Sequence, residues 1–187
     1  MPERQDIRIC GGLTEIPLFR LTLSEFRAHS LALERQAEAR YGEYAMRMHY
    51  LDARRVADAF EMLKMVQRQE VKTLEAEAEG RGRSWLSPWE YLWRMTHSSH
   101  VLEPPLPASP HSARQALEFV IAMEKRARAY YGDVATRARD AHVRACATEM
   151  SDQKNRRLEL LEQLLALEVG ASWKRVASLG HDGRRVA

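Results

Sequence analysis

The chain has 187 residues, 45% hydrophobic and 29% charged, with only 9 Gly and 7 Pro; that is a globular, helix-favouring composition of one domain's length. It excludes collagen-like and intrinsically disordered material and argues against a sandwich or barrel. The formal net charge of +3 comes from arginines spread along the chain rather than a basic block, so charge alone gives no reason to expect nucleic acid.

Residues 1–21 read as an N-terminal extension. They carry no secretory pattern, because the opening is charged and the apolar stretch Ile16 to Phe19 is too short. The first long helix is predicted from Thr22-Leu23-Ser24-Glu25, a capping box, to about Met48. A second follows with Asp52 as N-cap and runs to Glu79, where Gly80 stops it. The third starts after Pro110 with Ser112 as N-cap and ends near Arg139; the fourth takes Asp140 as N-cap and ends at Gly170. Residues 171–187 then form a short C-terminal helix and tail. No run is long and apolar enough for a membrane span.

Short turns join helices one and two, and three and four, so each pair is an antiparallel hairpin. The connection from Gly80 to His111 is too long for a turn and suits a crossover along a four-helix bundle occupying residues 22–170. Within it, Ser87-Pro88 marks a helix start, and Trp85, Trp89, Tyr91, Leu92 and Trp93 form one amphipathic patch. Two readings stand: these aromatics pack the crossover onto the bundle, or Trp85, Trp89 and Trp93 form a partner or homodimer surface.

The two hairpins repeat each other. Glu34-Arg35-Gln36-Ala37-Glu38-Ala39-Arg40-Tyr41-Gly42-Glu43 aligns with Glu124-Lys125-Arg126-Ala127-Arg128-Ala129-Tyr130-Tyr131-Gly132-Asp133, so that Glu, both Ala, Tyr and Gly recur at the same offsets. On the predicted inner stripes, Glu34 and Glu124 stand where Leu is expected. Helix two is interrupted at the same level by Gln67 and Glu70, and helix four by Lys154 and Arg157. A buried carboxylate needs a metal or a cation beside it, so the stripes predict a polar layer of Glu34, Gln67, Glu70, Glu124, Lys154 and Arg157. Tyr41 and Tyr131 can donate to its carboxylates. Cys10 and Cys146, the two cysteines present, exclude a disulfide framework and a four-thiolate site and favour a reduced, cytoplasmic setting. Cys146 reads as a small core residue, and His49, His97 and His100 as plain surface or loop histidines.

With both hairpins on view, the sequence resembles the rubrerythrin-like branch of the ferritin-like superfamily, especially through Ala116-Leu117-Glu118-Phe119-Val120-Ile121-Ala122-Met123-Glu124 with Tyr130-Tyr131, and through Leu158-Glu159-Leu160-Leu161-Glu162. The resemblance implies an all-α bundle in which helices one and three each give a Glu, and helices two and four each give Glu-x-x-His, to two iron or manganese ions. Glu34 and Glu124 match the lone glutamates. The Glu-x-x-His motifs are here Gln67-Arg68-Gln69-Glu70 and Lys154-Asn155-Arg156-Arg157: both histidines and both bridging glutamates are replaced, and protonated Lys and Arg cannot ligate a cation. No rubredoxin-type Cys-x-x-Cys tail follows. Two functions follow from this pattern. One is a metal-free scaffold or interaction protein with a buried salt-bridge cluster and no cofactor, assembling as a homodimer or with a protein partner. The other is an oxidoreductase with an unusual iron or manganese site built from Glu34, Gln67, Glu70 and Glu124, handling peroxide, oxygen or iron.

Overall fold

The computed structural model of the protein describes residues 9–10, 13–14, 18–79 and 110–182. Four long helices dominate: α1 (Leu23–Tyr50), α2 (Arg54–Glu79), α3 (Ala113–Arg137) and α4 (Ala141–Asp182). A two-residue antiparallel ladder pairs Ile9 with Thr14 and Cys10 with Leu13, and a 3₁₀ turn at Leu18–Arg20 leads into α1. The crossover aromatics Trp85, Trp89, Tyr91, Leu92 and Trp93 lie outside the described residues, as do His97 and His100.

Local chemistry sets most of the helix ends. Thr22 Oγ1 accepts from the Glu25 backbone N–H while the Glu25 carboxylate accepts from Thr22 N at 2.9 Å, closing the capping box. Ser112 caps α3 through the Gln115 N–H, and Asp140 caps α4 by accepting from the N–H groups of His142 and Val143. Two expectations fail. Asp52 is not the N-cap of α2: it takes the left-handed position of the α1–α2 turn with φ 55°, its carboxylate meets Arg54, and the helix is entered from Ala53, whose carbonyl accepts from Val56 and Ala57. Nor does Gly170 stop α4, which continues unbroken to Asp182 in place of a separate short helix. A glycine weakens a helix interior by only about 1 kcal/mol relative to alanine, and it ends one only where it adopts the left-handed C-cap conformation, which Gly170 does not.

The side-chain pairings between helices fix the topology. Tyr41 on α1 meets Glu124 on α3, while Glu34, two turns earlier on α1, meets Tyr131, two turns later on α3; α1 and α3 are therefore antiparallel. Arg35–Glu75 and Arg27–Glu77 make α1 and α2 antiparallel, and Arg55–Glu168 with Arg157–Glu70 does the same for α2 and α4. Helices α2 and α3 consequently run parallel, which requires a connection the length of the bundle rather than a turn.

The core lies in two apolar clusters. One, around Tyr41, Tyr44, Met48, Val56, Phe60, Leu117, Val120 and Leu161, fills the end near the α1–α2 turn. The other, around Leu21, Phe26, Tyr130, Tyr131, Val134, Val143 and Ala147, fills the end near the α3–α4 turn, with Cys146 packed at its edge. Leu23 and Ala127 are half-buried and pack at the edge of the second cluster. Among the described residues no helix is long and apolar enough to cross a membrane.

Candidate functional site

Between the two clusters the bundle carries a layer of charge. Glu34 and Gln67 have no exposed surface, and Glu124, Lys154 and Arg157 are 1%, 2% and 5% exposed. Each arrives by helical periodicity: Glu34 lies one turn from Ala37 and two from Tyr41, Gln67 lies one turn from Leu63, and Lys154 falls between Met150 and Leu158 on the buried face of α4.

Lys154 Nζ donates to Glu34 Oε2 at 2.6 Å and lies 3.4 Å from Glu124 Oε2, so one ammonium stands between the two carboxylates. Arg157 reaches the layer from one turn further along α4. Its Nη1 donates to Gln67 Oε1 at 2.7 Å and lies 3.6 Å from Glu124 Oε2. Its Nη2 takes both oxygens of Glu70, at 3.0 and 2.9 Å. Gln67 closes the ring by donating Nε2 to Glu34 Oε2 at 2.7 Å. Glu70 is the outermost member, its side chain 23% exposed.

The two tyrosines of the repeat are exchanged between the hairpins. Tyr131 OH donates to Glu34 Oε1 at 2.6 Å, and Tyr41 OH donates to Glu124 Oε1 at 2.5 Å. Glu34 thus accepts three hydrogen bonds. Glu124 accepts one, at Oε1, and its Oε2 accepts no directional hydrogen bond and is held by the charges of Lys154 and Arg157.

Electrostatics keep Glu34 and Arg157 charged. Burial pushes the Glu34 carboxyl up, but the neighbouring Lys154 charge, hydrogen bonds from Lys154 and Tyr131, and Arg157 together hold it below the ordinary glutamate value. Burial works against the Arg157 cation as well; the surrounding carboxylates of Glu124, Glu70 and Glu34 reverse this and leave it more firmly protonated than a free arginine. Tyr41 and Tyr131 are raised well above the ordinary phenol range, first by burial and then by the carboxylates that they bond. They are neutral donors.

This donor set does not suit a pair of divalent cations. Lys and Arg offer only N–H donors, they take up the carboxylate oxygens that a metal would need, and Gln67 already uses both ends of its amide. Among the described residues, no three His, Cys, Asp or Glu side chains come together as a metal-binding group. Of the four residues considered as ligands, Glu34, Gln67 and Glu124 converge and Glu70 is drawn aside by Arg157.

Sequence reasoning did not anticipate that His29, Ser30 and Tyr130 are buried. Their one available signal was proximity to Glu34 and Tyr131 along the helix. His49 is exposed near the end of α1.

No protein-family model and no curated protein matches the chain. Among solved structures, it is similar to the crystal structure of an uncharacterized conserved protein from Magnetospirillum magnetotacticum MS-1, with a TM-score of 0.65 and 23% identity over 78% of this chain and 95% of that one. At that identity the likeness is one of fold: a four-helix bundle whose length the chain matches nearly throughout.

Proposed function

We propose that the chain is a ferritin-like, rubrerythrin-like protein whose two-metal site has been replaced by a buried salt-bridge cluster, and that it serves as a non-catalytic scaffold or interaction protein. The observation that carries this reading is Lys154, with its ammonium 2.6 Å from one core carboxylate and 3.4 Å from the other. In the ferritin-like pattern, glutamates from opposite helices converge on metal ions. Here the protein's own cations answer the same carboxylates, with Arg157 as the second. Two side-chain cations set against Glu34, Glu124 and Glu70 make the core independent of metal supply and leave no redox centre at this position.

Elemental analysis of the purified protein, made without a metal-binding tag and with iron and manganese supplied during expression, tests the reading. It predicts both metals far below one equivalent per chain. Near-stoichiometric iron or manganese would overturn it in favour of a ferritin-like oxidoreductase acting on peroxide, oxygen or iron.

A further inference from the structure

Seven large apolar side chains stand exposed among the described residues, and five of them lie on α2 and α4: Met62, Met65, Val66, Leu160 and Leu167. Their placement is not scattered. On α2, Met62 and Val66 continue the row of Glu70 at four-residue spacing, and Glu70 reaches α4 through Arg157. On α4, Leu160, half-buried Leu164 and Leu167 form an i, i+4, i+7 row on the flank of Arg157 and Glu168, the two residues that reach α2. With α2 and α4 antiparallel, the two rows edge one shallow apolar groove. Met62, Val66, Leu160 and Leu167 are 61%, 49%, 60% and 58% exposed, an arrangement that calls for a covering partner.

The course of the chain supplies one. Residues 80–109 leave the end of α2 and must reach Pro110 at the start of α3, which runs parallel to α2. That crossing is about 40 Å for helices of this length. The bundle places α2 and α3 at opposite corners, each paired with both α1 and α4, so the route passes over one of those helices. The α1 route is charged: Arg27–Glu77, Arg35–Glu75 and Arg68–Glu38 line the α1–α2 flank. The α4 route is the apolar groove. The connecting segment brings Trp85, Leu86, Trp89, Tyr91, Leu92, Trp93 and Met95, and so three of the four tryptophans of the chain. At up to ~3.3 Å per extended residue it has more than twice the reach needed, which leaves length to seat these side chains along the way.

We infer that the α2–α4 groove edged by Met62, Val66, Leu160 and Leu167 is the docking site of the chain's own 85–95 segment. The aromatic patch then completes the bundle from outside, over the flank where Arg157 meets Glu70, and is not a free surface for association. The inference does not depend on whether the charged layer replaced a metal site.

The test places a photo-crosslinking benzoylphenylalanine in the full chain at Met62, at Leu160 or, as a control, at Gln36 on the exposed face of α1, and irradiates equal mixtures of isotopically light and heavy protein. Helical circular dichroism first checks that each variant is folded; both groove positions are exposed, so the bulky group needs no core space. The expected result is crosslinks from positions 62 and 160 to residues 85–95 within one chain, with light–light and heavy–heavy products alone, and none to that segment from position 36. Light–heavy products in half of the crosslinked peptides would overturn the inference by assigning the groove to a second copy. So would crosslinks from 62 and 160 that miss residues 85–95, or equal labelling of that segment from position 36.

Discussion

Lys154 and Glu34, 120 residues apart in the chain and on opposite hairpins, meet at 2.6 Å in the centre of the bundle with neither side chain more than 2% exposed. A pair so placed has lost the solvation of both ions, and its attraction offsets that loss only because the remaining valences are met. Tyr131 and Gln67 complete Glu34; Glu124 gives the ammonium a second carboxylate. The pair is the hub through which the two hairpins are tied.

Removing only the cation should therefore cost more than removing the layer. Lys154→Met leaves two buried carboxylates facing Arg157 alone, and the cost should be about 3–5 kcal/mol, as for other broken buried pairs. A combined variant with Glu34, Gln67, Glu70, Glu124, Lys154 and Arg157 changed to Leu or Met, and Tyr41 and Tyr131 to Phe, strands no member of the layer and should cost much less. Urea denaturation of both variants checks the order.

The tyrosines should be unequal despite their matching places in the repeat. Tyr41→Phe removes the one hydrogen bond that Glu124 accepts, so its cost should sit at the upper end of the ~1–3 kcal/mol for an unsatisfied buried acceptor. Tyr131→Phe leaves Glu34 with Lys154 and Gln67 and should cost less. Equal losses in chemical denaturation would show that the two carboxylates are supported alike.

Acid and alkali should act on different members. The folded-state pKa of Glu34 lies below the ordinary value of 4.5, so its contribution to stability is complete above that value and is lost as pH falls toward the depressed one. Tyr41 and Tyr131 are raised above the ordinary value of 10.0; their contribution is complete below that value and is lost as pH rises beyond it. Tyrosine absorbance should show Tyr41 and Tyr131 ionising in one steep step together with loss of helical circular dichroism. Gradual titration of all the tyrosines in folded protein would contradict the buried placement.

Much of the bundle was legible because helical burial leaves a strict period. The inner stripes that carry Glu34, Gln67, Glu124, Lys154 and Arg157 could be counted from Phe26, Phe60, Leu117 and Val143. The repeat of Glu34–Tyr41 and Glu124–Tyr131 set equivalent residues at one level. It did not say that each glutamate takes the other hairpin's tyrosine, because partner choice depends on the antiparallel course of α1 and α3. Gly170 and Asp52 misled for local reasons: a glycine can stay helical, and an aspartate before a helix can serve the turn instead of the cap.

The backbone should still accept the metal arrangement it resembles. Gln67→Glu, Glu70→His, Lys154→Glu and Arg157→His together would restore two Glu-x-x-His motifs facing Glu34 and Glu124. This variant should bind about two equivalents of manganese or iron by calorimetry where the unmodified chain binds none. Failure of a folded variant to bind would mean that the helices are no longer set for a two-metal site.

The central claim is that protein cations stand where the ferritin-like pattern places metals. Crystals of unmodified, untagged protein, with diffraction recorded on both sides of the iron and manganese absorption edges, test it most directly. The account predicts continuous side-chain density for Lys154 ending between Glu34 and Glu124, with no anomalous peak in the layer. Two strong anomalous peaks a few ångströms apart, with Lys154 swung out to solvent, would contradict it.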